Sequence, residues 1–227
     1  MARISNYKGR RAGGYERLFG DVELGILISR IQGAVIGSGT ELERIIRSRV
    51  KLIDDLDRFL KLEIMPAGIF LADKRQLKAC KTLDFAGSEP DFVLFRRRDG
   101  HQHCYVVELK DGDNFDTKKA AAERRSMSDF ISMNAQYVPY TMSAHICCFN
   151  QDSREEIVVG LKSKITLEEA MTGREFCELL EINYGEIIEE RKADQYPNLS
   201  YFVEELLRID AVKTLIEERL DSQDSGR

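Results

Sequence analysis

Glu89-Pro90-Asp91-Phe92-Val93-Leu94-Phe95 is followed, beyond Arg98-Asp99-Gly100, by Cys104-Tyr105-Val106-Val107-Glu108-Leu109-Lys110. The first apolar run predicts a strand over Phe92 to Phe95 that Asp91 opens. Asp-Gly is a turn signal. The second run, rich in Tyr and Val, predicts a partner strand over roughly Cys104 to Leu109. Side chains on a strand alternate between faces, so Glu108 and Lys110 point one way and Leu109 the other. Two paired strands therefore carry Asp91, Glu108 and Lys110 to one strand end. Two carboxylates are what a hard divalent cation such as Mg²⁺ takes, together with water and phosphate oxygens. A neighbouring ammonium can hold a phosphate or bias an attacking water. The bland alternative is a surface hairpin carrying a few charges. Val106 argues against it, because it shares the face of Glu108.

Pro90-Asp91, the spacer and Glu108-Leu109-Lys110 resemble the signature of the PD-(D/E)xK nucleases, the superfamily of most type II restriction endonucleases. The motif is short; a Pro before the Asp, a strand on each side, the turn between them and helices before and after strengthen it. The resemblance covers about half the chain, from Glu41 to Asn150. It implies an α/β fold with a restriction-endonuclease-like core of helix, three strands, helix, strand. The central sheet would be mixed and flanked by helices, with a helical C-terminal part. It also implies Mg²⁺ at Asp91, Glu108 and the backbone carbonyl of Leu109, with Lys110 beside the attacking water. Cleavage of double-stranded DNA would leave 5′-phosphate and 3′-hydroxyl ends, and the enzyme would act as a homodimer. A repair or recombination nuclease on the same core is the first alternative. A catalytically idle DNA-binding module is the second, and the complete Asp91, Glu108, Lys110 set argues against it.

Upstream, Val22 to Ile36 predicts a helix that leaves through a Gly-rich hinge, Gly33 to Gly39. Thr40 then caps a second helix, with Glu43 as capping-box partner. Leu42, Ile45, Ile46, Ile53, Leu56 and Leu60 form its apolar stripe. Glu41 and Glu43 flank that stripe, and periodicity does not choose between them. The resemblance does: Gly39-Thr40-Glu41-Leu42-Glu43 is similar to a Gly-x-x-Leu-Glu helix of the superfamily, which puts Glu43 in support of the metal site. Ile69-Phe70-Leu71 and Thr82-Leu83-Asp84-Phe85 each read as a short strand, one of which should precede Asp91.

At 227 residues, 43% hydrophobic and 32% charged, one globular domain spanning 1–227 is expected. The net charge of −5 gives no global field for nucleic acid. Its distribution is uneven. Residues 151–227 hold ten Lys/Arg against nineteen Asp/Glu, leaving twenty-four against twenty in residues 1–150. DNA contacts are therefore expected in the first two thirds. Residues 1–20 read as a basic, flexible arm in which Arg10 and Arg11 face phosphates. Lys118, Lys119 and Arg124, on a helix from Lys118 to about Ala135, are further phosphate contacts. Solvated charges are the plain reading of both groups.

Other chemistries are excluded by pattern. Gly37-Ser38-Gly39 lacks the Gly-Lys-Ser/Thr of a phosphate loop. Asp111-Gly112-Asp113-Asn114-Phe115-Asp116 fails as a calcium loop at Phe115 and Asp116. Five cysteines without Cys-x-x-Cys spacing argue against zinc and for buried, reduced thiols in a cytoplasmic protein. No run has transmembrane length. Ala144-His145-Ile146-Cys147-Cys148-Phe149 predicts a buried strand in which His145 is a core residue. Ile157-Val158-Val159 predicts another strand. Thr166/Glu169 and Thr172/Glu175 are capping boxes, and Asn198 or Ser200 opens a last helix running to about Leu220.

Overall fold

The computed structural model describes residues 1–10, 13–85, 89–112 and 117–224; Arg11, residues 113–116 and the side chain of Lys118 lie outside this description. Helices α1 (Gly14–Phe19), α2 (Val22–Arg49) and α3 (Leu56–Leu60) come first, followed by strand β1 (Gly68–Asp73) and helix α4 (Lys74–Ala79). Strands β2 (Phe92–Arg98) and β3 (His101–Lys110), helix α5 (Thr117–Asn134) and strand β4 (Thr141–Cys148) follow. Helix α6 (Arg154–Gly160), strand β5 (Ala170–Thr172) and helices α7 (Gly173–Leu179), α8 (Tyr184–Lys192), α9 (Gln195–Leu207) and α10 (Asp210–Asp224) complete the chain. The protein is a mixed α/β structure that divides into two compact units, Leu42–Tyr184 and Met1–Glu41 with Gly185–Arg227.

The larger unit is built on a five-stranded sheet in the order β1-β2-β3-β4-β5. β1, β2 and β3 run antiparallel, whereas β4 and β5 run parallel to β3. The Asp99-Gly100 turn closes β2 onto β3 with both residues at positive φ, as a two-residue hairpin requires. A parallel β3–β4 pair needs a crossover, and α5 provides it. The register arranges one face in rows. Phe70 pairs with Phe95 and Phe95 with Cys104; Ala72 pairs with Val93 and Val93 with Val106. These two apolar rows enter a core that Ala120, Met127 and Phe130 of α5 also join. Burying each large side chain contributes about 1.5–3 kcal/mol. Asn134, fully buried near the end of α5, ties the segment before β2 to that helix. Its side-chain amide donates to the Asp84 and Phe130 carbonyls at 2.8 Å, and its carbonyl oxygen accepts from the Asp84 N–H.

The smaller unit is helical. Its N-terminal residues are tied down: Ala2 and Ile4 are buried, the amino terminus meets Asp194 at 3.0 Å, and Asn198 bonds the Ile4 N–H and the Ala2 carbonyl. No helix among the described residues is long and apolar enough to cross a membrane.

Several expectations are corrected. The Gly33–Gly39 stretch is no hinge: α2 runs unbroken through it, Thr40 lies mid-helix, and Glu43 caps nothing. Gly33 and Gly37 are instead where the Tyr7 ring lies against the helix, so they leave space rather than bend the chain. The stripe ending at Leu60 belongs to two helices. α2 stops at Arg49, and Asp55 caps α3 by accepting from the Arg58 N–H. Ile69 to Leu71 lies in β1, whereas Thr82 to Phe85 is not a strand. Ile157 to Val159 is helical, because Ser153 caps α6 there. Thr166 and Glu169 do bond, but they close a turn that leads into β5 and not a helix. Thr172 and Glu175 form a true capping box on α7. The last helix is broken near Arg208 and Ile209 into α9 and α10.

Candidate active site

The apolar rows of the sheet end in a charged one. The pairing ends at Asp73 with Phe92 and Phe92 with Val107, and directly beyond it in sequence stand Lys74, the first residue of α4, Asp91, just before β2, and Glu108 of β3. Glu108 continues the face of Val106 on β3, and Lys74 and Asp91 reach it from the residues that flank β1 and β2. Asp91 is held on both sides. Its Oδ2 accepts the Leu109 backbone N–H at 2.7 Å, and its Oδ1 accepts from the Lys74 ammonium. Lys110, the next residue on the Glu108 face of β3, donates to Glu108 Oε1 at 2.8 Å and to Glu123 Oε1 at 2.6 Å.

Local sequence explains how each side chain arrives. Asp73 caps α4 by accepting the Arg75 and Gln76 N–H groups, and the Gln76 side chain returns a bond to the Asp73 N–H. That box sets the turn from β1 into α4, where Lys74 sits. Arg47, in the last turn of α2, donates to Asp73 at 3.2 Å and couples that helix end to the strand end. Glu43 lies one turn earlier on α2. Glu123 projects from the inward face of α5, between Ala120 and Met127.

The electrostatics identify a crowded acidic centre. Burial first, and the Asp91 carboxylate next, raise the pKa of Glu108 above the usual carboxylate range. The same two causes in the same order raise Glu43. Burial alone would lower Lys110 and Lys74. The acids around them outweigh it and raise both: Glu108 and Glu123 for Lys110, and Asp91, Glu108 and Glu43 for Lys74. Two acids whose pKa values are raised by burial and by the same Asp91 carboxylate favour a cation beside them.

Asp91, Glu108, Lys110 and Glu43 thus come to one place. Glu41, the alternative to Glu43, lies instead 3.2 Å from the amino terminus. Leu109 is present through its backbone. Sequence reasoning missed Lys74 and Glu123. Glu123 carried a signal, since it falls in the Ala120, Met127, Phe130 stripe where an acid needs a partner. Lys74 carried none before the β1–β2 register was known. No three His, Cys, Asp or Glu side chains among the described residues form a finished metal cage. The donor set nonetheless fits Mg²⁺, which takes one or two carboxylates and fills its remaining positions with water and substrate oxygens.

The described residues expected to meet DNA are all exposed. Arg10 is exposed, with its backbone N–H on Ser29 Oγ at 3.1 Å. Lys119 is exposed on α5 and 3.9 Å from Glu123. Arg124 bonds Glu169 at 2.7 Å and lines an open cleft of about 400 Å³ with Arg125, Ser128 and Lys164. His145 is buried against Ser143, and burial pushes its pKa down to about 4. All five cysteines are buried and none is in a disulfide.

HhaII of Haemophilus parahaemolyticus, a type II restriction enzyme, is 38% identical to this chain over 221 residues, covering 94% of this chain and 97% of that protein. No family model matches the sequence. No solved structure matches it either.

Proposed function

Since the chain belongs to the type II restriction enzymes, and so is a site-specific deoxyribonuclease, we propose that it cuts double-stranded DNA with Mg²⁺ at Asp91 and Glu108, as a PD-(D/E)xK nuclease. The observation that carries this reading is the 2.7 Å bond from the Leu109 N–H to Asp91, which locks one carboxylate beside the strand that bears the other. The order α2, β1, β2, β3, α5, β4 supports a restriction-endonuclease-like core.

Hydrolysis of a phosphodiester needs an in-line water, neutralised phosphoryl oxygens and help for the leaving 3′-oxygen. A divalent ion, when bound, supplies Lewis acidity toward all three. Asp91 and Glu108, with the Leu109 carbonyl, would hold it, and Glu43 would support the site from α2. Lys110 is fixed between Glu108 and Glu123, so its ammonium is oriented before substrate arrives. It sits beside the attacking water and the scissile phosphate. The products carry 5′-phosphate and 3′-hydroxyl ends.

Arg10, Arg11, Lys118, Lys119 and Arg124 contact backbone phosphates, the last beside the cleft of Arg125 and Lys164. The two units work as one nuclease domain. The enzyme acts as a homodimer on a two-fold site. The exposed apolar row Tyr196, Leu199, Val203 and Leu207 on α9 supports that. Its place of action is the cytoplasm of a prokaryotic cell.

The test is digestion of a long natural DNA with Mg²⁺ and with EDTA. Discrete Mg²⁺-dependent fragments are expected, and D91A or E108A abolishes them without unfolding the protein. Full Mg²⁺-dependent cleavage by either variant overturns the assignment. K110A is expected to lose rate more than DNA affinity.

A further inference from the structure

We propose that Lys74 is a built-in counter-ion of the carboxylate cluster: its ammonium occupies Asp91 where a divalent cation binds, and so sets how tightly the site takes that ion. This rests on the reading of Asp91 and Glu108 as metal ligands.

Four observations carry it. Lys74 opens α4 directly after Asp73, whose pairing with Phe92 and capping box with Gln76 fix where that helix starts, so its backbone is placed by the strand end and the cap and not by a mobile loop. Its ammonium bonds Asp91 Oδ1, the oxygen that the Leu109 N–H leaves unused. Its placement also opposes the local preference of its helix. The first turn of α4 holds no acid, and Lys74 and Arg75 put two cations where the helix N-terminus disfavours them. The reason for a cation there lies across the sheet. Finally, the two lysines of the site are held differently. Lys110 is 24% exposed and held by two carboxylates, whereas Lys74 is 41% exposed and bonded to one. A flexible four-carbon stem lets such an ammonium move into water at little cost.

An ammonium and a divalent ion cannot share Asp91 Oδ1. Binding of the ion therefore includes displacement of Lys74, and removing the lysine should tighten it. A charge-assisted pair of this kind, partly exposed, corresponds to roughly tenfold in affinity.

The experiment is calorimetric titration of Mn²⁺ into the DNA-free protein, with parallel thermal melts. K74M is expected to bind Mn²⁺ about tenfold more tightly than the parent and K74R to bind like the parent. In EDTA, K74M should melt lower than the parent, and Mn²⁺ should restore more of its stability than it adds to the parent. Equal or weaker binding by K74M, or no binding by parent and K74M alike, overturns the proposal. Should K74M fail to fold, K74Q carries the same expectation. D91N separates the two readings. If it binds Mn²⁺ as well as the parent does, the metal-site assignment fails. If D91N loses the ion while K74M gains nothing, only the role of Lys74 fails.

Discussion

Glu123 of α5 accepts a 2.6 Å hydrogen bond from Lys110, and so joins the helix after β3 to the lysine at that strand's end. Glu123 does not face Asp91 as a ligand; it acts on Lys110. Burial would lower the lysine's pKa, and Glu108 with Glu123 reverses the sign. E123Q is therefore expected to reduce kcat roughly tenfold, the usual scale for losing such an orienting partner. KM for DNA should change little. The alkaline limb of the pH–rate profile should move to lower pH, because Lys110 loses part of what keeps it protonated. A variant that alters KM alone would place Glu123 in DNA binding instead.

The raised acids of the site make a stability prediction. In the folded protein Glu108 and Glu43 hold their protons more tightly than an unfolded carboxyl, through burial and then through Asp91. Their favourable contribution is thus fully present below the unfolded value of 4.5, and it is lost as pH rises through the folded values. Above the folded values and without metal, the ionised carboxylates are less favourable in the fold than in the unfolded chain. E108Q, kept in EDTA at pH 7 to 8, should melt higher than the parent by about 2–4 °C, the shift that ~1 kcal/mol produces in a chain of this size. The gain should shrink toward pH 4.5, and cleavage should fall at least about a hundredfold. Scanning calorimetry across pH checks it. A lower melting temperature at pH 7 would mean that the Lys110–Glu108 bond outweighs the repulsion from Asp91.

How much of this was legible in the sequence depends on distance along the chain. Asp91, Glu108 and Lys110 could be placed together because one hairpin with an Asp-Gly turn joins them. The Thr172/Glu175 cap on α7 is likewise local, and it was legible. Lys74 could not be placed, since pairing β1 with β2 is a nonlocal fact and the sequence offered two strand candidates there. The Gly33–Gly39 misreading has another cause. Glycine signals a turn when backbone freedom is needed, but Gly33 and Gly37 answer to the Tyr7 side chain, some thirty residues earlier. Ile157 to Val159 misled for a third reason: a β-branched run does not outweigh a cap as well formed as Ser153.

Asn134 gives a prediction about folding without chemistry. It is fully buried, and its amide bonds both backbone groups of Asp84 and the Phe130 carbonyl. N134L has a similar volume but leaves those groups unpaired. The expected loss is about 2–3 kcal/mol, read as a lower urea midpoint. Activity per folded molecule should be nearly unchanged. A neutral substitution would show that water replaces the lost bonds.

The glycines of α2 allow a test of the Tyr7 contact. A Cβ on Gly37 would come within 1.7 Å of the Tyr7 hydroxyl oxygen, whereas one on Gly39 meets nothing within 4 Å. Alanine favours a helix interior over glycine by about 1 kcal/mol. G39A should therefore stabilise the protein by about that much. G37A should instead gain clearly less than G39A, because the Tyr7 ring has to leave its contact with the helix to make room. Removing the ring tests the cause. In a Y7A background the ring is gone, and G37A should become as stabilising as G39A. The coupling between Tyr7 and Gly37 in that double-mutant cycle is the measured quantity. If G37A has the same effect with and without Tyr7, the glycine does not answer to the ring.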